Sequence, residues 1–322
     1  MDITLRQMQY IVAVAKEGHF GKAADSCHVS QPALSRQIKK VEELFETQLF
    51  ERSARGVVVT PAGREFVDAA RSVLSEARRL TDRVDSFDGA LRGPLSLGII
   101  PTVGPYFLPG ILGHLHEAYP QLSPSIVEEQ TSRLLEKLAD ADLDVALMAT
   151  PVEAPHTETL PLVIDPFVTV VHADHHLAKK EEITAADLTK AQLLLLEEGH
   201  CFRDHALEFC ATSDDIDEAD IRSTSLSTLL GLVELNRGVT ILPVLALARE
   251  LPARPHLIAR PFAGSCPNRT LSLLWRATSP RVDAFRRMGD LFAGHTDQLN
   301  RTLDSFGFDD LPRLKIHPDR RS

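Results

Sequence analysis

No run of about 18 or more apolar residues occurs in the 322-residue chain, which excludes a membrane-spanning helix. Residues 1–5 are not a basic stretch leading into an apolar one, so no secretory signal is visible and the cytoplasm is the expected compartment. Cysteine is scarce. Four residues cannot staple a chain of this length, and in a reducing compartment a disulfide usually serves catalysis or sensing. The compact Cys-x-x-Cys spacing of a zinc site is missing, and neither metal nor cofactor is expected. Surplus positive charge is also lacking: the formal net charge is −10, the wrong sign for a protein that would bind DNA by bulk electrostatics.

What is present is an ordinary globular composition, 43% apolar and 25% charged, and a length that suggests two or three domains. The acid is unevenly spread. Residues 1–60 hold eight Lys or Arg against seven Asp or Glu, so DNA affinity would have to come from a local patch there.

That segment reads as three helices and a hairpin. Leu5, Met8, Ile11, Val12 and Ala15 share one face of a helix from Leu5 to Glu17, and a short helix follows from Gly21 to Cys27. Ser30 is placed to cap a third helix, about Gln31 to Phe45, with Pro32 in the first turn where its missing N–H costs nothing. Leu34, Ile38, Val41 and Phe45 mark its buried side; Ser30, Gln31, Pro32, Ser35, Arg36 and Lys39 remain as candidate DNA contacts. Residues 49–52 and 57–59 form a wing turning at Arg55-Gly56, with Arg52 and Arg55 near the phosphates. A small helical cap with solvated charges fits the composition equally well.

After Thr60-Pro61, the apolar residues Phe66, Ala70, Val73, Ala77, Leu80, Val84 and Phe87 alternate spacings of four and three, the seam of a paired helix. Gly89 to Pro94 breaks this helix. Short apolar runs then alternate with helical stretches, the pattern of a largely parallel α/β sheet. Ligands in such folds bind beyond the carboxyl ends of strands, which makes Thr102, Val103, Gly104, Thr131, Thr224 and Ser225 candidate cleft residues; for any single hydroxyl, ordinary helix capping is the competing role. Little periodicity follows Leu303, and a flexible tail is expected over 303–322.

The segment from Gly199 to Cys210 follows an apolar strand, Leu193 to Leu196, and leads into residues compatible with a helix. Cys201 would sit at the helix start beside His200 and Arg203, all of which favour a thiolate. A thiolate attacks peroxide to give a sulfenic acid that a second thiol can close to a disulfide, and Cys210 is the candidate for that thiol. On a helix, nine residues advance about 13.5 Å and place the two side chains on opposite faces. A disulfide needs Cα atoms within about 7 Å, so ring closure would require a helical segment to melt. The ten-residue ring would contribute about 2.5–3 kcal/mol in the chain-entropy model, comparable to reorganising one short helix. Metal ligation with His200 or His205, or a buried structural role, remains open on these residues alone.

The wider sequence resembles the LysR family of regulators. Residues 23–38, then Leu49-Phe50-Glu51-Arg52 and Thr60-Pro61-Ala62-Gly63, look like its winged helix-turn-helix throughout. The residues 100–106, 199–204 and Phe209-Cys210 are similar to the family's peroxide-sensing branch, and the similarity runs to about residue 300. This resemblance implies an α+β multidomain chain: a DNA-binding domain over 1–60, a dimerisation helix over 61–89, and a two-lobed α/β regulatory domain over 90–302 built like periplasmic binding proteins. One lobe would take 90–166 with 268–302, the other 167–267. It also implies Cys201 as the peroxidatic and Cys210 as the resolving thiol. Thr102 and His200 would line the peroxide pocket, Asp204 assist reduction and Arg269 support the thiolate. Phe202, His205 and Glu208 depart from the branch's pattern. The implied partners are a double-stranded DNA operator, RNA polymerase, hydrogen peroxide, a resetting thiol reductant and further copies of the chain as a homodimer or homotetramer, with no membrane. The reading is of a regulator rather than an enzyme. Its competitors are a LysR regulator answering an organic metabolite and a thiol peroxidase, the latter disfavoured by the N-terminal domain.

Overall fold

The computed structural model describes residues 3–53, 56–85, 91–152, 154–188, 191–197, 225–264 and 266–320. Two compact units make up the chain, Met1–Val84 and Asp85–Ser322.

The first unit opens with α1 (Leu5–Glu17), held by a reciprocal box between Thr4 and Gln7 and ended at Gly18, whose φ of 60° is the left-handed C-cap glycine tolerates. Helices α2 (Phe20–Ser26) and α3 (Gln31–Leu44) follow, and the strands β1 (Phe50–Ser53) and β2 (Gly56–Val59) pair antiparallel. Ile11, Val14, Ala23, Ala24, Leu34, Ile38 and Val41 close the core between the three helices; of the expected α1 face only Ile11 is fully buried, Leu5 being 46% exposed, and Phe45 of the expected α3 face is 40% exposed. Helix α4 spans Pro61–Asp85. A Cβ on Gly63 would stand 2.1 Å from the Leu49 carbonyl oxygen, so only glycine lets α4 pack this close to the wing.

In the second unit β3 (Gly93–Ile99), α5 (Gly104–Ala118), β4 (Leu122–Glu128), α6 (Thr131–Ala139) and β5 (Val145–Thr150) form a parallel βαβαβ run. The expectation of a largely parallel sheet then fails. The strand β6 (Thr157–His172) is 16 residues long and antiparallel to every strand it meets. It pairs with β10 (Asn268–Arg276) as far as Pro166, then from Phe167 with β8 (Val239–Pro243), so one strand crosses between two half-sheets at Pro166-Phe167. The rest of the sheet is β7 (Leu193–Leu194), parallel to β8, and β9 (Leu257–Arg260) on β6. Alternating apolar runs do not encode strand direction, which is set by where the chain returns.

The flexible tail expected over 303–322 is also corrected through residue 320. Leu303 and Leu314 are buried, and β11 (Lys315–Ile316) pairs with Val163 and Ile164 of β6. Beyond Ser305 the tail's regular elements are only two and three residues long, too short for a periodicity to show.

Candidate functional site: a helix-turn-helix surface and a buried Thr–Arg–Asp cluster

Helices α2 and α3 meet through a tight turn in which His28 adopts φ 55° and the Val29 N–H donates to the Ala24 carbonyl at 3.0 Å. Ser30 is the N-cap residue of α3 as expected, but its hydroxyl makes no cap hydrogen bond. Its exposed hydroxyl, with exposed Gln31 and Pro32, stands at the positive end of the helix dipole. Arg36 and Lys39 are exposed and Ser35 half-buried on the same helix; Lys39 pairs loosely with Glu43 at 3.6 Å. Glu42 ties the far end of α3 to the wing by accepting from the Leu49 and Phe50 N–H groups at 2.8 and 3.2 Å. Arg52 lies on β1 opposite Val57, while Arg55 is outside the described residues. A helix presenting its N-terminus and one basic flank, braced against a hairpin, has the form that reads a major groove.

The apolar seam of α4 divides in two. Phe66 packs edge-on against Phe45 with centroids 5.6 Å apart, and Val67 and Ala70 are buried, so the first turns complete their own domain. Further along, Val73 and Leu80 are 43% and 67% exposed.

The second cluster is buried at the crossover of the α/β unit. Thr102 follows β3 in the turn that starts α5, and Arg269 is the second residue of β10. The Arg269 Nη1 donates to Thr102 Oγ1 at 2.8 Å and Nη2 to the Thr102 carbonyl at 3.0 Å. On its other side the guanidinium grips Asp165, the residue opposite it on β6: Nε and Nη2 lie 3.0 and 2.9 Å from Oδ2. Asp165 Oδ1 accepts the Leu245 N–H at 3.0 Å, at the start of helix Val244–Glu250. All three side chains are buried. Burial pushes the Asp165 carboxyl up from its ordinary range, against the pull of the guanidinium and the Leu245 N–H.

The arrangement has a chemical consequence. Because Thr102 Oγ1 accepts from Arg269, its own hydroxyl proton remains available to a further acceptor. Val103 is the N-cap of α5 and Gly104 its first residue; a Cβ at Gly104 would stand 2.7 Å from Glu128 Oε2. Thr131 begins α6, and its buried hydroxyl makes no hydrogen bond. Thr102 and Thr131 therefore follow the carboxyl ends of neighbouring parallel strands, β3 and β4. Ser225 serves as an N-cap, its Oγ accepting the Thr228 N–H at 3.2 Å, which is the ordinary capping role.

His200, Cys201, Asp204, Cys210 and Thr224 lie outside the described residues. Of the two cysteines that are described, Cys27 is half-buried in the helix-turn-helix and Cys266 is half-buried with Sγ 3.6 Å from the Phe167 and Pro267 carbonyls. Burial pushes the Cys266 thiol up, away from the thiolate that reacts with oxidants. Asp165 escaped the sequence reading; its one signal is a lone charge within the stretch 160–171, otherwise apolar but for Thr169.

A winged helix-turn-helix joined by a long helix to a crossed α/β unit defines a class of bacterial one-component regulators. The profile "Bacterial regulatory helix-turn-helix protein, lysR family" matches residues 5–64 and "LysR substrate binding domain" matches residues 88–297. The chain is 38% identical over 301 residues to the hydrogen peroxide-inducible genes activator of Pectobacterium carotovorum subsp. carotovorum, covering 94% of this chain and 99% of the relative. It is equally 38% identical to the DNA-binding transcriptional dual regulator OxyR of Escherichia coli K12, covering 92% and 98%. Among solved structures, a full-length OxyR variant from Pseudomonas aeruginosa superposes with TM-score 0.74 at 37% identity over 91% of this chain and 95% of that one. A hydrogen peroxide-bound Corynebacterium glutamicum OxyR variant gives 0.67 at 36%, covering 95% and 97%. The chain belongs to the LysR family and, within it, to the OxyR hydrogen peroxide-inducible activators.

Proposed function

We propose that this protein is a DNA-binding transcriptional regulator that senses hydrogen peroxide through Cys201 and controls oxidative-stress genes. The observation that supports this reading is the buried Thr102–Arg269–Asp165 cluster, in which Arg269 occupies an acceptor site of the Thr102 hydroxyl and leaves its proton for a further acceptor. Peroxide cleavage by a thiolate leaves hydroxide, and fixed donors in a low-dielectric site stabilise that developing charge. Cys201 attacks, His200 and Thr102 hold the peroxide, Cys210 resolves the sulfenic acid, and Asp204 assists the later reduction by an external thiol. Each event consumes one peroxide and waits for that reductant, the behaviour of a sensor rather than of an enzyme. The direct test is stoichiometric peroxide followed by peptide mapping. A bridge between the peptides containing Cys201 and Cys210 is expected; oxidation confined to Cys27 or Cys266 would overturn the assignment.

DNA is contacted by Ser30, Gln31, Pro32, Ser35, Arg36 and Lys39 of the reading helix, with Arg52 and Arg55 on the wing. Arg36→Ala is expected to weaken operator binding by about 1–3 kcal/mol if Arg36 reads a base edge. A salt-dependence slope reduced by about one, with equal loss on unrelated DNA, would place it on a phosphate instead. Unchanged affinity in a gel-shift titration removes it from the interface.

The exposed distal seam of α4 supports a homodimer through this helix, two such dimers forming a tetramer that presents its reading heads to a two-half-site operator and engages RNA polymerase. Leu80→Asp places a charge in the seam, where an unpaired carboxylate is unfavourable. Sedimentation is expected to show smaller assemblies; a variant that assembles like the parent excludes the seam.

A further inference from the structure

The C-terminal segment lies beyond residues 88–297, the stretch the regulatory-domain profile matches, yet it is attached at the crossover that holds the buried cluster. Asn300, in helix Thr296–Ser305, clamps the segment in both directions: its Nδ2 donates to the Leu314 carbonyl at 3.0 Å and its Oδ1 accepts the Leu314 N–H at 3.1 Å. Arg313 folds the intervening turn by donating to the Phe308 and Asp309 carbonyls at 2.9 and 3.0 Å. The chain then runs as β11 along Ile164 and Val163, and the His317 N–H donates to the Leu162 carbonyl at 2.9 Å. Asp165 is the next residue of β6. At this point β6 has β10 on one edge and β11 on the other, since both pair with Val163 and Ile164.

The segment also shares a cavity with the second anchor of Asp165. Leu314 lines a mostly apolar cavity of about 380 Å³ together with Leu303, Tyr106, Val244 and Leu245, and the Leu245 N–H is the donor to Asp165 Oδ1. The tail therefore pairs with the strand that carries Asp165 and lines one cavity with the helix start that holds its carboxylate.

We propose that residues 306–317 are a brace that positions Asp165, and through it Arg269 and Thr102, for reaction of the sensing thiol with peroxide. The inference rests on the peroxide-sensing reading above. Asn300 and Leu314 are positioning residues that act at a distance through β6 and the start of helix Val244–Glu250. Loosening the brace lets the carboxylate drift, and a hydroxyl donor displaced by a fraction of an ångström no longer matches the leaving oxygen.

The test compares the full-length parent with Asn300→Ala, with a chain ended at Ser305, and with Lys315→Ala, whose backbone pairing is retained. Two rates are measured on Cys201, oxidation by hydrogen peroxide and alkylation by iodoacetamide, alongside amide hydrogen exchange at Leu245 and at the β6 crossover. Asn300→Ala is expected to lower the peroxide rate about tenfold, leave alkylation within about twofold, and speed exchange at Leu245, while Lys315→Ala behaves as the parent. If the truncated chain fails to fold, Asn300→Ala decides alone. Peroxide and alkylation rates slowed equally, or exchange at Leu245 unchanged, overturns the brace. A parent Cys201 that alkylates but ignores peroxide sinks the sensing reading instead; the exchange measurement then still decides whether the tail holds Asp165.

Discussion

Asp165→Ala is expected to destabilise the regulatory unit by about 3–5 kcal/mol, the cost of leaving a buried partner charge uncompensated. Arg269 is 1% exposed, and among the described residues its remaining hydrogen-bond partners are the hydroxyl and carbonyl of Thr102, neither of which carries charge. Among the described residues, Asp165 is the ion-pair partner of this guanidinium, at 2.9 Å. The Leu245 N–H would lose its acceptor as well. Asp165→Asn keeps an acceptor oxygen but no charge, and is expected to fall between the parent and Asp165→Ala. The pair itself need not be a net source of stability, because desolvating both ions offsets much of their attraction. A double replacement, Asp165→Leu with Arg269→Met, is therefore expected to cost less than Asp165→Ala alone. Urea denaturation of the full-length protein, followed by Trp275 fluorescence, reads these changes, since Trp275 is buried on β10 six residues beyond Arg269. A loss for Asp165→Ala within about 0.5 kcal/mol of the parent would show that the guanidinium is satisfied without its carboxylate. Stability and function should separate in the double variant, which removes the donor that orients Thr102 even where the fold survives.

The second large effect concerns the redox switch. Cys201→Ser is expected to abolish the response to peroxide and to hold the protein in its reduced DNA-binding mode, because a serine hydroxyl is not ionised at neutral pH and does not reduce peroxide. Cys210→Ser is expected to differ in kind. It still consumes one peroxide per subunit, then stalls at sulfenic acid or is oxidised further, because the thiol that closes the ring is missing. Its change in DNA footprint should be weak, since no ten-residue ring holds the segment open. Cys266→Ser should respond like the parent, because burial disfavours the Cys266 thiolate and its sulfur already faces two carbonyl oxygens. Dosing each variant with peroxide and trapping sulfenic acid with a dione reagent identifies the attacking residue. Trapping on Cys210 in Cys201→Ser at the parental rate would exchange the two roles. A complete footprint change in Cys210→Ser would show that sulfenic acid alone drives the transition and that the disulfide only protects it.

How much of this was legible in the sequence differs between the two units. In the first, the information is local. Buried positions of α1 and α3 recur at helical spacing, Pro32 marks a first turn, and the wing strands are adjacent in sequence, so the boundaries follow closely: α1 is Leu5–Glu17 as read, and α3 ends one residue earlier than expected. The cysteine segment was likewise conspicuous by residue type and by its nine-residue spacing, although its geometry lies outside the described residues.

The second unit shows where such reading stops. Thr102 and Arg269 are 167 positions apart, and Asp165 is 104 from Arg269. Nothing local to any of the three announces that they meet. Similarity to a known family brought Thr102 and Arg269 to notice, but Asp165 became visible only when β6 and β10 were paired and placed the two charges opposite each other. The direction of β6, the single strand crossing at Pro166-Phe167, and the docking of the tail on that same strand were hidden for the same reason. Hydrophobic patterning states which residues must leave water, and period and capping state which local element they adopt. They do not state which distant strand supplies the neighbouring edge. By itself the sequence determined the helix-turn-helix and the long helix after it, and marked Cys201 as a candidate reactive thiol. Only tertiary structure decided which carboxylate balances the buried guanidinium and which segment braces it, because those choices depend on chain closure over more than a hundred residues.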